Sequence, residues 1–240
     1  MRLGDFKALT FDCYGTLIDW ESGIAAALEP LTSKLGGRLS RDQILEAYAR
    51  QEYAQEQVTP TRRYSDLLAT VYRRLAEEWG IAVSWEECLA FGGSIRNWPA
   101  FPDSAEALAY LKQHYKLVIL SNVDNTSFAH SNGKLGVAFD AIYTAEDIGS
   151  YKPDRRNFEY MLARIADLGI AKDAILHTAE SLFHDHQPAN GFGLASCWIY
   201  RRHDKQGYGA TRDPGTMPKL DFRFNSMAEL AAAHRKETGA

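Results

Sequence analysis

The chain has 240 residues, 45% of them hydrophobic and 24% charged, with a formal net charge of −4. That length buries a sizeable core, as one large domain or two modest ones. The acidic balance, with no basic cluster, argues against nucleic acid as a partner, because phosphate affinity needs grouped Lys and Arg. No apolar run approaches the roughly 18–20 residues of a membrane span. The segment MRLGDFKALTFD lacks the apolar stretch of a signal peptide, so no membrane partner and a cytoplasmic location are expected. The three cysteines, Cys13, Cys88 and Cys197, are odd in number and far apart. They suggest neither a disulfide framework nor a CxxC metal site.

In chain order, KALTF reads as a buried parallel strand that ends at Asp12, followed by a turn at Gly15. From about Glu21 to Trp98 the texture becomes helical, in IAAALEPLTSKL, SRDQILEAYARQEYAQEQ and SDLLATVYRRLAEEWG. Ser40 and Ser65 are the expected N-caps and Gly80 the expected stop. After FPDS the chain alternates. SAEALAYLKQHY predicts a helix, KLVILSN a strand, FDAIYTAEDIG a strand with its loop and RRNFEYMLARIADLG a helix. AILHTAES then predicts a strand, a helix starts near His184, and ASCWIYR is a further strand. HDKQGYGATRDPGTMPKLD reads as a long surface loop.

Such alternation predicts an α/β fold, a doubly wound, Rossmann-like parallel sheet with an inserted helical cap. The expected boundaries are residues 1–18 and 99–240 for the sheet domain and 19–98 for the cap. Ligands of open α/β sheets bind beyond the carboxyl ends of the strands. Asp12, Ser121 and Glu180 fall at such ends and are expected to converge.

The chemistry of these residues is that of a carboxylate nucleophile, which must be ionised, fixed and partly desolvated. Lys152 would hold Asp12 ionised against the cost of burial. Thr16 and Ser121 can donate hydrogen bonds, and Asn122 can donate and accept. The loop N–H groups around Cys13 and Tyr14 can cradle an anionic group of the substrate. Taken singly, Lys152 is a surface lysine, Ser121-Asn122 a turn and Thr16 a cap; their joint occurrence favours a site.

DCYGTL, LSN, YKPD and ESLFHD, in this order and on strand ends, resemble the four motifs of the haloacid dehalogenase superfamily, over residues 8 to about 200. The resemblance implies catalysis by Asp12, Lys152, Asp185, Ser121, Asn122 and Thr16. Phosphatases of the superfamily carry a second Asp two places after the nucleophile. Tyr14 stands there instead, as in the 2-haloacid dehalogenases, whose halide leaves without a proton. Dehalogenases usually show Ser, Asn and Tyr where this chain has Glu180, Leu182 and Phe158. HTAESLFHDHQPAN, WIYRRHDKQGYGAT and DFRFNSM resemble instead the azetidine-2-carboxylate hydrolases, which open a strained ring at C2. The resemblance implies substrate binding by Tyr14, Cys13, Arg41, Glu180, His184 and Trp20. Arg41, with Arg38 as rival, would clamp the substrate carboxylate, an arginine being suited to planar anions. Glu180 would pair with a substrate ammonium. His177, His184 and His186 cluster near the fourth motif, with His184 a water-activating base or a wall of the leaving-group pocket. Trp20 and Trp98 stand at the two junctions of the insert.

The expected activity is hydrolysis at C2 of a small 2-substituted carboxylate, with no metal or other cofactor. Mg²⁺ enters only if the chain is a phosphatase, held then by Asp12, Glu180 and Asp185. A non-catalytic binding or regulatory protein is the third possibility. Dimers are common among relatives, so a homodimer is the implied protein partner.

Overall fold

A computed structural model describes residues 1–239. Its centre is a six-stranded, wholly parallel sheet in the order β3-β2-β1-β4-β5-β6. The strands are β1 (Ala8–Phe11), β2 (Lys116–Ser121), β3 (Ala141–Thr144), β4 (Ile175–Ala179), β5 (Ala195–Ile199) and β6 (Phe222–Phe224). All four residues of β1 are buried, as are all five of β4. Interior strands of a parallel sheet are covered on both faces and therefore read as continuous apolar runs.

The chain winds outward from β1 to β3, then crosses back to begin β4 on the other side of β1. This reversal opens a crevice at the carboxyl ends of β1 and β4. Phe11 pairs in register with Ile119 of β2 and Thr178 of β4, so the segments after all three strands reach the same rim.

Helices cover both faces. On one, α8 (Arg155–Asp167) and α9 (Gln187–Gly191) pack Phe158, Met161, Ile165 and Ala189 against Ala8, Val118 and Leu120. On the other, α5 (Ser104–Leu111) and α10 (Met227–Thr238) bury Leu108, Leu111, Met227 and Leu230. Each such aliphatic side chain contributes about 1.5–3 kcal/mol through removal from water. Two further helices, α6 (Asn125–Leu135) and α7 (Ala145–Ile148), follow β2 and β3.

Between Trp20 and Gly92 lie only helices: α1 (Trp20–Thr32), α2 (Arg41–Val58), α3 (Tyr64–Glu78) and α4 (Trp85–Gly92). Ser40 caps α2 as expected, in a capping box with Gln43. Ser65 does not cap α3, which begins one residue earlier at Tyr64. The Ser65 N–H instead donates at 3.0 Å to Asp124, so a side chain from the sheet domain does the capping. The helix expected near His184 is a single π-type turn, Leu182–His186, that runs into α9. Strand β6 and helix α10 were not expected from the sequence. Among the described residues no helix is long and apolar enough to cross a membrane.

Helix α1 meets the sheet domain at Gly23. A Cβ there would lie 2.3 Å from Cγ of the buried Trp98. That indole in turn meets Tyr14 edge-on, with ring centroids 5.7 Å apart. Overpacking a filled core costs about 1–3 kcal/mol. Gly23→Ala should therefore lower the urea midpoint accordingly; an unchanged midpoint would show that Trp98 retreats freely.

Candidate active site

Asp12 is the first residue beyond β1, and its backbone N–H reaches back to the Thr178 carbonyl at 3.2 Å. Its carboxylate is gripped on both oxygens. Lys152 Nζ donates to Oδ1 at 2.9 Å, and Thr16 Oγ1 donates to Oδ2 at 2.8 Å. The turn at Gly15, with φ of 93°, folds the chain back so that Thr16 returns to the carboxylate. Thr16 Oγ1 itself accepts the backbone N–H of Glu180 at 2.9 Å, which ties the loop after β1 to the end of β4.

Lys152 is 1% exposed and spends all three protons: on Asp12, on Asp185 Oδ1 at 2.8 Å and on the Leu120 carbonyl at 3.0 Å. His177 Nε2 lies 3.1 Å from the same Asp185 oxygen, and Thr10 Oγ1 2.8 Å from His177 Nδ1. A chain of contacts thus runs from the middle of β1 through β4 to Lys152 and back to Asp12.

Burial pushes the Asp12 carboxyl up, with Lys152 pulling in the opposite direction. For Lys152, burial favours the neutral amine, but the two carboxylates outweigh it and lift the ammonium above its ordinary value. Burial opposes ionisation of Asp185 as well, yet Lys152 and His177 hold it well below the usual carboxylate range. The result is a fixed cation between two acids, which opposes the loss of charge that burial alone would bring to each.

Over Asp12 lies a cavity of about 40 Å³, lined by Asp12, Tyr14, Trp20, Asn122, Lys152, Ser181, His184 and Asp185, and from the helical insert by Glu52, Glu56 and Tyr64. This is room for a few waters or one small ligand. Tyr14 anchors its hydroxyl on Ser131 Oγ at 2.7 Å and presents its ring to the cavity. His184 has Nδ1 3.2 Å from Ser181 Oγ, and burial lowers it to about 4, so the imidazole is neutral at pH 7. His184 Nε2 and Asp185 Oδ2 are buried without a partner among the described residues.

Several expected contacts are absent. Ser121 is buried at the end of β2, but its hydroxyl reaches neither Asp12 nor any other partner among the described residues. Asn122 does not touch Asp12. Its amide brackets the backbone of Lys152 instead, accepting from the N–H at 2.6 Å and donating to the carbonyl at 3.1 Å. Cys13 points into the core, where burial raises its thiol well above the ordinary value. Arg41 is exposed and donates to Ser22 Oγ at 3.2 Å, while Arg38 caps the Leu35 carbonyl at 3.0 Å. Among the described residues no arginine lines the cavity. Both arginines precede or start α2, whereas its second half, with Glu52 and Glu56, lines the cavity over Asp12. Glu180 also turns away from the cavity and accepts from Thr211 Oγ1 at 2.9 Å.

These positions bear on Mg²⁺. The Lys152 ammonium already binds one oxygen of each acid, Asp12 Oδ1 and Asp185 Oδ1. The third acid, Glu180, faces Thr211, and burial pushes it up to about 8. This donor set does not fit a hard divalent cation, which needs converging ionised oxygens. His186 gives no help, since its ring bonds the Ala179 carbonyl at 2.9 Å.

Glu52 and Glu56 escaped the sequence reading. The available signal was the spacing of Leu45, Tyr48, Glu52 and Glu56, which sets two acids on the buried stripe of α2.

Two predictions follow from the charges. Removing one partner of a buried ionic cluster costs about 3–5 kcal/mol. Lys152→Met should lose stability on that scale and raise the pH at which Asp12 titrates, as followed by carboxyl ¹³C NMR. Glu180 is neutral in the fold up to about 8 but ionises near 4.5 when unfolded. The folded state therefore holds the extra proton across that window, so stability from this group is full below it and falls as pH rises through it. Glu180→Gln should flatten that part of the stability profile; an identical pH dependence would refute the assignment.

A family model described as haloacid dehalogenase-like hydrolase matches residues 6–177. An (S)-2-haloacid dehalogenase of Pseudomonas sp. (strain YL) is 30% identical over 81% of this chain and 83% of its own length. One from Pseudomonas fluorescens is 28% identical over 83% and 86%. In solved structures, the L-2-haloacid dehalogenase from Xanthobacter autotrophicus has the same fold, with a TM-score of 0.75 at 19% identity, covering 96% of this chain and 98% of that one. With Asp12 just beyond the end of its central strand, the chain belongs to the haloacid dehalogenase-like hydrolases.

Proposed function

We propose that this hydrolase displaces a leaving group from C2 of a small 2-substituted carboxylate through an ester on Asp12, releasing a 2-hydroxy acid. The carrying observation is the grip on Asp12: one oxygen on Lys152, the other on Thr16, with Tyr14 where a phosphatase places its acid. A carboxylate held in this way attacks with its negative charge intact and its orientation fixed.

One Asp12 oxygen forms a bond to C2 as the bond from C2 to the leaving group breaks, its electron pair departing with that group. Water then attacks Cγ of the Asp12 ester, which returns the carboxylate and frees the hydroxy acid. Asp185 Oδ2, buried and unpartnered at the cavity, is placed to accept a hydrogen bond from that water. The unpartnered ring nitrogen of neutral His184 lines the same space. Lys152 keeps its charge throughout and holds both acids in place.

A halide is one leaving group, supported by the relatives named (S)-2-haloacid dehalogenase. A strained ring nitrogen, as in azetidine-2-carboxylate, is the second, favoured by the two acids and the missing arginine in the cavity. In that case the ring ammonium leaves as a neutral amine, and the proton released on ester hydrolysis restores its charge. Ring strain lowers the barrier that an unstrained amine would face.

The ester is tested by a single turnover, with enzyme in excess, in heavy-oxygen water. The label should enter Asp12 and be absent from the first product, as read by mass spectrometry. Label in the first product would mean direct attack by water. Asp12→Asn should lose at least about a thousand-fold in rate, the scale on which a nucleophile's removal is felt.

A further inference from the structure

Helix α2 carries Tyr48, Glu52 and Glu56 four residues apart on one face, and all three are buried. Tyr48 donates to Glu52 Oε1 at 2.9 Å, and the Tyr64 hydroxyl donates to the same oxygen. One oxygen of Glu56 takes a weak contact from Asn122 Nδ2, at 3.3 Å. The other, Oε2, is buried and has no partner among the described residues, although Glu56 is only 3% exposed and lines the cavity over Asp12.

A buried carboxyl oxygen without a donor is expensive, and a purely structural acid would be given one. Burial lifts Glu52 to about 7 and Glu56 well above its ordinary value, with Glu52 adding to the rise in Glu56 and Lys152 only partly offsetting it. Lys152 cannot serve, since its protons are taken by Asp12, Asp185 and Leu120. A halide or a second carboxylate placed here would bring no donor to Glu56 Oε2. A group bringing both positive charge and N–H donors would satisfy Glu56 and relieve the pair.

We infer that Glu56, backed by Glu52, is a binding subsite for a protonated nitrogen, so that the substrate class is a small amino or imino carboxylate. As a statement about the substrate of Asp12 this rests on the displacement chemistry proposed above; as a statement about binding it stands alone.

The test uses unreactive isosteres on the intact enzyme, L-alanine and isobutyrate, which differ at C2 only by ammonium against methyl. Calorimetry should find L-alanine bound at least about ten-fold more tightly. Glu56→Gln should bring L-alanine to the level of isobutyrate and leave isobutyrate unchanged. Equal binding of the two ligands by the intact enzyme would overturn the subsite. So would a preference that survives in Glu56→Gln. The ligand comparison needs no variant, so it holds even if Glu56→Gln fails to fold. Because neither ligand turns over, failure here leaves the heavy-oxygen result on Asp12 untouched, and the reverse is equally true.

Discussion

The ammonium of Lys152, buried between Asp12 and Asp185, is the contact on which the site depends. Three ionisable groups have been taken out of water together. Any one alone would neutralise itself, because burying a bare charge costs several kcal/mol even after relaxation. Lys152 opposes that neutralisation at both acids and gives them a fixed direction. The Leu120 carbonyl takes the third proton, which ties the cation to the backbone of β2 and leaves it no freedom to wander.

The acids around Lys152 do not converge as a set of metal ligands. Lys152 takes one oxygen each of Asp12 and Asp185, and Glu180 turns toward Thr211. The cavity then differs from a simple anion pocket in a second way. Its wall from the helical insert supplies acids and phenols, not arginine. Charge is thus sorted by direction: cation beneath Asp12, acid across from it.

The fold supports this by strand register. Because Phe11 sits level with Ile119 and Thr178, the residues that follow β1, β2 and β4 emerge at one edge. The link from Thr16 to the Glu180 N–H, and from Asn122 to both sides of the Lys152 peptide, then fixes loops that share no secondary structure. Backbone groups, the Glu180 N–H and the Lys152 peptide, do much of the positioning.

The sequence by itself determined the parallel α/β sheet, the helical insert and the group of Asp12, Thr16, Lys152 and Asp185. Buried strands are continuous apolar runs, helices repeat at 3.6 residues, and strand ends carry the chemistry. It was silent on β6, whose three residues are too few to show a period. Only the tertiary structure decided which way side chains point across the cavity. Arg41 and Glu180 have suitable chemistry, but the rotation of α2 and the path of the loop around Thr211 carry them elsewhere. Glu52 and Glu56 were hidden for the converse reason: acids on a helix pass for solvated surface until that face is seen packed over Asp12.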